Sequence, residues 1–348
     1  MAYFTVKELS LRLQRELLSS CVGSLRNGEV RVDYRNVQKS VYRPFRARRD
    51  VTPKYAGVEQ VAIDPGSEPM IFSRLFKPFI YTIGFSATCL VGATIWQYEN
   101  MRTKYIDSKT WTWGFTRHVE KKGTIRQELN HWWRNRTEGE KVFIPICALN
   151  CIVFAAWRFR RFQPTMAKYF LSTPSRKNLC WPMFLSSFSH VSIIHLAANM
   201  FVLHSFSNIL CHTLGKEQFV GLYLSSGVVS SFASYFYKIV SKNSGFTLGA
   251  SGAIMAMVSY ICFHNPEEKL YILFLPFFTF QAGAAIKAIM AFDAAGLIFS
   301  WKFLDHAAHL GGALLGIAWY QWGNRYIWQK REPILEKWHE FRGTGRKR

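Results

Sequence analysis

The sequence predicts an all-α, polytopic membrane protein, and three observations carry that prediction. Apolar runs long enough to cross a bilayer, or nearly so, recur from Phe79 to Trp322. They are too long and too unalternating to be barrel strands, and only helices or closed barrels satisfy the backbone in lipid. The chain is also divided, with a basic polar first part and an apolar remainder, so windows carry a membrane signal that the whole-chain average hides.

The 348 residues include 44 Lys and Arg against 22 Asp and Glu, a formal charge of +22. Such charge points to nucleic acid, an anionic membrane or an organelle import signal. No zinc-finger spacing, RNP-like strand or basic zipper accompanies it, so no nucleic-acid partner is expected. The seven cysteines are odd in number and form no CxxC pair; most sit in apolar runs, where a thiol behaves as a small hydrophobe. No disulfide framework and no cofactor are expected.

Residues 1–70 read as a basic targeting and linker region, largely disordered. Leu9, Leu11, Leu13, Leu17 and Leu18 among many arginines suit an amphipathic import signal, against which Glu8, Glu16, Glu29, Asp33 and Asp50 count. Residues 71–141 read as one membrane helix, Phe79–Trp96, and a polar loop. Residues 142–323 read as a six-helix core with spans at Val142–Trp157, Ser189–Leu214, Phe219–Val240, Leu248–Phe263, Ala282–Trp301 and His306–Trp322. Leu270–Phe280 is apolar and aromatic but broken by Pro276, and is expected at the membrane surface. Residues 324–348 read as a basic tail. Lys and Arg number ten in 97–141, six in 158–182 and eight in 324–348, so positive charge does not settle the orientation.

Polar residues inside lipid are costly and need a reason. Ser251 lies in Gly249-Ala250-Ser251-Gly252-Ala253. The flanking glycines permit close approach to its hydroxyl, and free N–H groups at a helix start can hold an oxyanion. A small-residue packing face fits the same five residues. His309 lies in Ala308-His309-Leu310-Gly311-Gly312, with Gly312 and Gly316 forming a GxxxG pair on roughly its own face. A helix packed closely there and carrying Ser251 would bring a base to a weak nucleophile. His195 and Asn199, four residues apart, share a helix face and can both donate, with His190 just before them. A structural hydrogen-bond network fits that pair equally, while a zinc site lacks the HExxH pattern.

Taken together, HxxxN, GxSG and AHLGGxxxG, in that order and in separate apolar runs, resemble the rhomboid intramembrane proteases over about Val142 to Trp322. The extra N-terminal helix, the basic leader and the segment Phe303–His309 are most similar to the mitochondrial, presenilin-associated rhomboid-like branch. The resemblance implies a six-helix core plus one helix in the mitochondrial inner membrane. It implies Ser251 as nucleophile and His309 as general base. Asn199, His195 and the Ser251 N–H would form the oxyanion site, with His190, Gly249 and Gly252 in support. It implies a dyad, so Asp293 and Asp305 are assigned no role, and His306 is read as structural. Many bacterial members carry a tyrosine four residues after the serine, where this chain has Met255. Implied partners are the lipid bilayer and single-span membrane substrates, such as a mitochondrial fusion GTPase or a quality-control kinase. Two other readings compete: a transporter or channel using buried His, Asn and Lys287, and an inactive relative that only binds membrane helices.

Overall fold

The computed structural model describes residues 68–112, 123–242, 245–272 and 275–344. Nearly all of the leader (residues 1–67) and Asn243-Ser244 of the loop before Ser251 lie outside the described residues. A 3-10 turn at Phe72–Leu75 opens α1 (Phe76–Thr112), which runs well past the predicted end at Trp96. There follow α2 (Thr124–Arg134), α3 (Glu138–Ala156), α4 (Gln163–Phe170), α5 (Cys180–Leu185), α6 (Ile193–Leu214), α7 (Lys216–Val240) and α8 (Ser251–His264). A hairpin, β1 (Lys269–Ile272) and β2 (Leu275–Gln281), precedes α9 (Ala282–Ile298) and α10 (His306–Ala318). A π-helical stretch over Trp319–Trp328 continues α10, and α11 (Glu332–Thr344) ends the described chain.

Each predicted span corresponds to a helix. Four, within Phe72–Lys109, Glu138–Ala156, Ile193–Leu214 and Lys216–Val240, have the length and hydropathy to cross a bilayer. The 14-residue α8 is apolar but shorter, and is enclosed by the others with ten of its residues buried. Local chemistry sets the boundaries. Thr137 and Glu140 form a reciprocal capping box that starts α3, with Glu138 and Glu140 at its positive end. Gly215, at φ +80°, ends α6 and opens α7, a conformation costly for a residue with a Cβ.

The segment Leu270–Phe280, expected at the membrane surface, falls in two paired antiparallel strands. Lys269 pairs with Gln281 and Leu270 with Phe280, with an irregularity after Tyr271. Its aromatic and β-branched residues favour strand, and Pro276 forbids a continuous helix.

Side-chain pairs show which helix ends lie together. Asn100 of α1 donates to Glu217 at the start of α7 (2.5 Å). Lys216, beside it, pairs with Glu138 at the start of α3 (2.9 Å). Gln218 donates to Asn324 after α10 (3.2 Å). These contacts define one face of the bundle, and the starts of α6, α8 and α10 lie on the other. The chain after α10 therefore comes to the level of Gln97–Asn100 within α1. Accordingly α11, in the segment read as a tail, packs on α1: Trp338 donates to Glu99 (2.8 Å), Arg342 pairs with Glu99, and Arg331 donates to Gln97 (2.9 Å).

Candidate active site

Ser251 is the first residue of α8, and the loop before it is held from two sides. Ser172 and Thr247 exchange backbone hydrogen bonds at 3.0 and 2.7 Å, and the Gly249 N–H donates to Ser186 O at 2.9 Å. Gly249 has φ +118°. A Cβ there would also stand 2.9 Å from His195 Cε1, so both backbone and space demand glycine. The Ser251 and Gly252 amides open the helix and have no acceptor one turn earlier within it.

His309 comes from α10, which Asp305 caps by accepting from the Ala308 N–H (3.1 Å). The same carboxylate accepts from Ser234 Oγ (2.6 Å), pairs with Lys238 Nζ (3.0 Å) and bonds Thr247. Burial works against its charge, but Lys238, Ser234, Thr247 and the Ala308 N–H outweigh burial and hold the carboxyl at about 2. Because Thr247 lies in the loop leading to Ser251, one carboxylate ties together the approaches to both residues.

Below that tie the two helices meet backbone to backbone. A methyl on Gly312 would overlap the Gly252 carbonyl, and one on Gly316 would overlap the Ala256 carbonyl and Ser259 Oγ. Ser259 Oγ donates to Ala313 O across the same seam (2.9 Å). The GxxxG pair thus brings α10 onto α8, and His309 Nε2 stands 2.8 Å from Ser251 Oγ.

The other nitrogen of that ring faces a buried acid. His309 Nδ1 is 3.4 Å from Asp293 Oδ1 of α9. The same oxygen accepts from His306 Nδ1 at 2.7 Å, while Asp293 Oδ2 and His306 Nε2 are buried without a hydrogen-bond partner. Sequence reading left Asp293 unassigned. Its signal was present, as an acid well inside an apolar span, but nothing local tied it to His309. Met255 packs with the core, and the two nitrogens of the His309 ring are bracketed by Ser251 Oγ and Asp293 Oδ1.

His195 lines a cavity of about 810 Å³ together with Ser251, His309, Gly249, Trp301 and Phe303. His190 is fully buried behind it, its ring 4.9 Å from that of His195 and its Nε2 3.4 Å from the Ala250 N–H. The Asn199 amide donates to His195 O (2.9 Å) and faces His190 Nε2 (3.2 Å). His190, His195 and Asn199 therefore form one network beside Gly249, although the Asn199 amide is engaged within it. Among the described residues, no group of three or more His, Cys, Asp or Glu is arranged to hold a metal.

The chain has recognisable relatives among known proteins. A model of the rhomboid domain matches residues 177–323. The mouse presenilin-associated rhomboid-like protein, mitochondrial, is 47% identical over 294 residues, covering 84% of this chain and 78% of that protein. The zebrafish presenilin-associated rhomboid-like protein A, mitochondrial, is 39% identical over 327 residues, covering 86% and 85%. Rhomboid protein 1, mitochondrial, of Saccharomyces cerevisiae is 30% identical over 203 residues, 58% of each chain. With these relatives and these helices, the chain belongs to the rhomboid family and is a multi-pass protein of a mitochondrial membrane.

Proposed function

We propose that this chain is a serine endopeptidase that cleaves single-span proteins in or near their membrane helix, with Ser251 as nucleophile and His309 as general base. The carrying observation is the 2.8 Å contact between His309 Nε2 and Ser251 Oγ at the edge of a cavity. Rhomboid proteins are in general serine intramembrane proteases, which supports the same reading. The working domain is 142–323, preceded by a targeting region over 1–70 and a helix-and-loop unit over 71–141, and followed by a tail over 324–348. The membrane is the mitochondrial inner membrane.

A substrate helix must unwind before attack, because peptide bonds within a helix hide their carbonyls; residues that weaken the substrate helix favour cleavage. His309 takes the Ser251 proton as Oγ attacks the carbonyl, then gives it to the leaving amine, and water releases the acyl group. The oxyanion is received by the Ser251 N–H and His195, and by Asn199 once its amide exchanges His190 for the substrate oxygen. Each such donor is worth about 3 kcal/mol in the transition state. The substrates are single-span mitochondrial proteins, of which a fusion GTPase and a quality-control kinase are the types to try first.

The test is cleavage of a single-span substrate by purified wild type, Ser251→Ala and His309→Ala. Cleavage by wild type alone is expected. Equal cleavage by all three would overturn the assignment, and no cleavage by any would favour a helix-binding role without catalysis.

A further inference from the structure

We propose that Asp293 completes a buried Asp293–His309–Ser251 relay, acting as the positioning residue that fixes which nitrogen of His309 carries the proton. The inference rests on the protease reading above. Three observations carry it. His309 Nε2 must be bare to take the Ser251 proton, so the ring proton must sit on Nδ1, and the polar atom facing Nδ1 is Asp293 Oδ1 at 3.4 Å. That is long for a formed N–H···O bond, as such contacts often are before substrate arrives. Second, Asp293 is 1% exposed and has an unpartnered Oδ2. A buried carboxylate with a free lone-pair oxygen is rare and calls for a reason.

Third, the surroundings hold the acid in place. His306 Nδ1 donates to Asp293 Oδ1 at 2.7 Å. The His306 ring is wedged edge-on against Phe292, Trp301 and Phe303, with centroids 5.6, 5.9 and 5.2 Å away. Gly296, one turn after Asp293, has no room for a Cβ against that ring. His306 thus orients the carboxylate, the carboxylate orients His309, and His309 addresses Ser251. The proton taken from Ser251 stays on His309, and the carboxylate acts by stabilising the imidazolium formed during attack. Asp305 takes no part, since its oxygens are occupied by the α10 cap, Ser234, Lys238 and Thr247.

The experiment compares full-length wild type with Asp293→Asn, which keeps the shape and removes the charge. Expected is a 10- to 1,000-fold fall in kcat with KM within about twofold; the corresponding change in the soluble serine-protease template costs about 10,000-fold. In protein labelled with 15N-histidine, wild-type His309 should carry its proton on Nδ1, and the variant should shift it toward Nε2. Wild-type kcat in a folded Asp293→Asn would overturn the inference and leave the protease reading intact. A wild-type His309 protonated on Nε2 would overturn it even if the variant fails to fold. A wild type that cleaves nothing, with Ser251→Ala indistinguishable from it, would instead sink the protease reading beneath.

Discussion

Gly312→Ala is the sharpest test of how the two helices create the site. The added methyl would meet the Gly252 carbonyl, which belongs to the residue after Ser251, while Gly312 lies three residues after His309. The overlap is backbone on backbone, so no side chain can swing away. Restoring ordinary carbon–oxygen contact requires α8 and α10 to part by roughly an ångström. Overpacking of that kind costs about 1–3 kcal/mol of stability. The 2.8 Å contact between His309 and Ser251 would open toward 4 Å, beyond hydrogen-bond reach. A displacement of that size costs roughly a hundredfold in rate. The assay pairs cleavage of a single-span substrate with thermal unfolding in detergent. Gly92→Ala is the control, because a Cβ at Gly92 meets nothing within 4 Å; it should be neutral or gain up to about 1 kcal/mol from helix propensity. If Gly312→Ala keeps wild-type cleavage and melting temperature, the backbone contact does not set the proposed dyad, and the reasoning fails.

Two further outcomes follow from the same geometry. Gly249→Ala forces a Cβ into positive φ and against the His195 ring, so it should lower stability by about 1–3 kcal/mol and cleavage by tenfold or more, read by the same pair of assays. An unmoved His195 ring with unchanged cleavage would refute it. The Asp305 carboxyl is held at about 2 against an ordinary 3.8. A depressed acid contributes stability above its unfolded value and loses it as pH falls through the folded one. Wild type should therefore lose on the order of 1–2 kcal/mol between about pH 4 and pH 2 through this group. Asp305→Asn should remove that step, and melting curves of both proteins across that range with identical slopes would count against it.

The apolar helices were legible because lipid imposes one rule on every helix: long apolar runs with no exposed backbone. The meeting of Ser251 and His309 was legible for a related reason. Glycines at 252, 312 and 316 have no purpose on a lipid-facing surface, so they announce a helix contact, and the two polar residues lay on that contact. What was missed lay where no such rule operates. Leu270–Phe280 is apolar like a span, and only its aromatic, β-branched character and Pro276 hint at a hairpin. The continuation of α1 beyond Trp96 and the helix at 332–344 have polar sequences whose partners are each other, as Glu99 with Trp338 and Arg342 shows. Asp293 was visible as an acid in a span, but its neighbour His309 lies on another helix, and no local spacing connects them.

The two acids flanking the proposed dyad divide the work between them. Asp305 lines the cavity, partly exposed, with every role filled by neighbours: helix cap, counter-ion to Lys238, and tie to Thr247. Removing it should loosen the fold before it alters the chemistry. Asp293 lies deeper, with one oxygen on His306 and the other unused. Leaving a carboxylate half-satisfied in an apolar helix costs free energy that a purely structural role would have avoided, for instance with an uncharged residue against His306. Such a cost persists most readily where the group is needed in a state not present at rest. Here that state is the imidazolium on His309, which exists only while Ser251 is attacking. The same logic fixes the frame around it. The Asp305 tie above and the Gly252–Gly312 contact below hold Ser251 and His309 at two points, so little reorganisation remains to be made when charge develops.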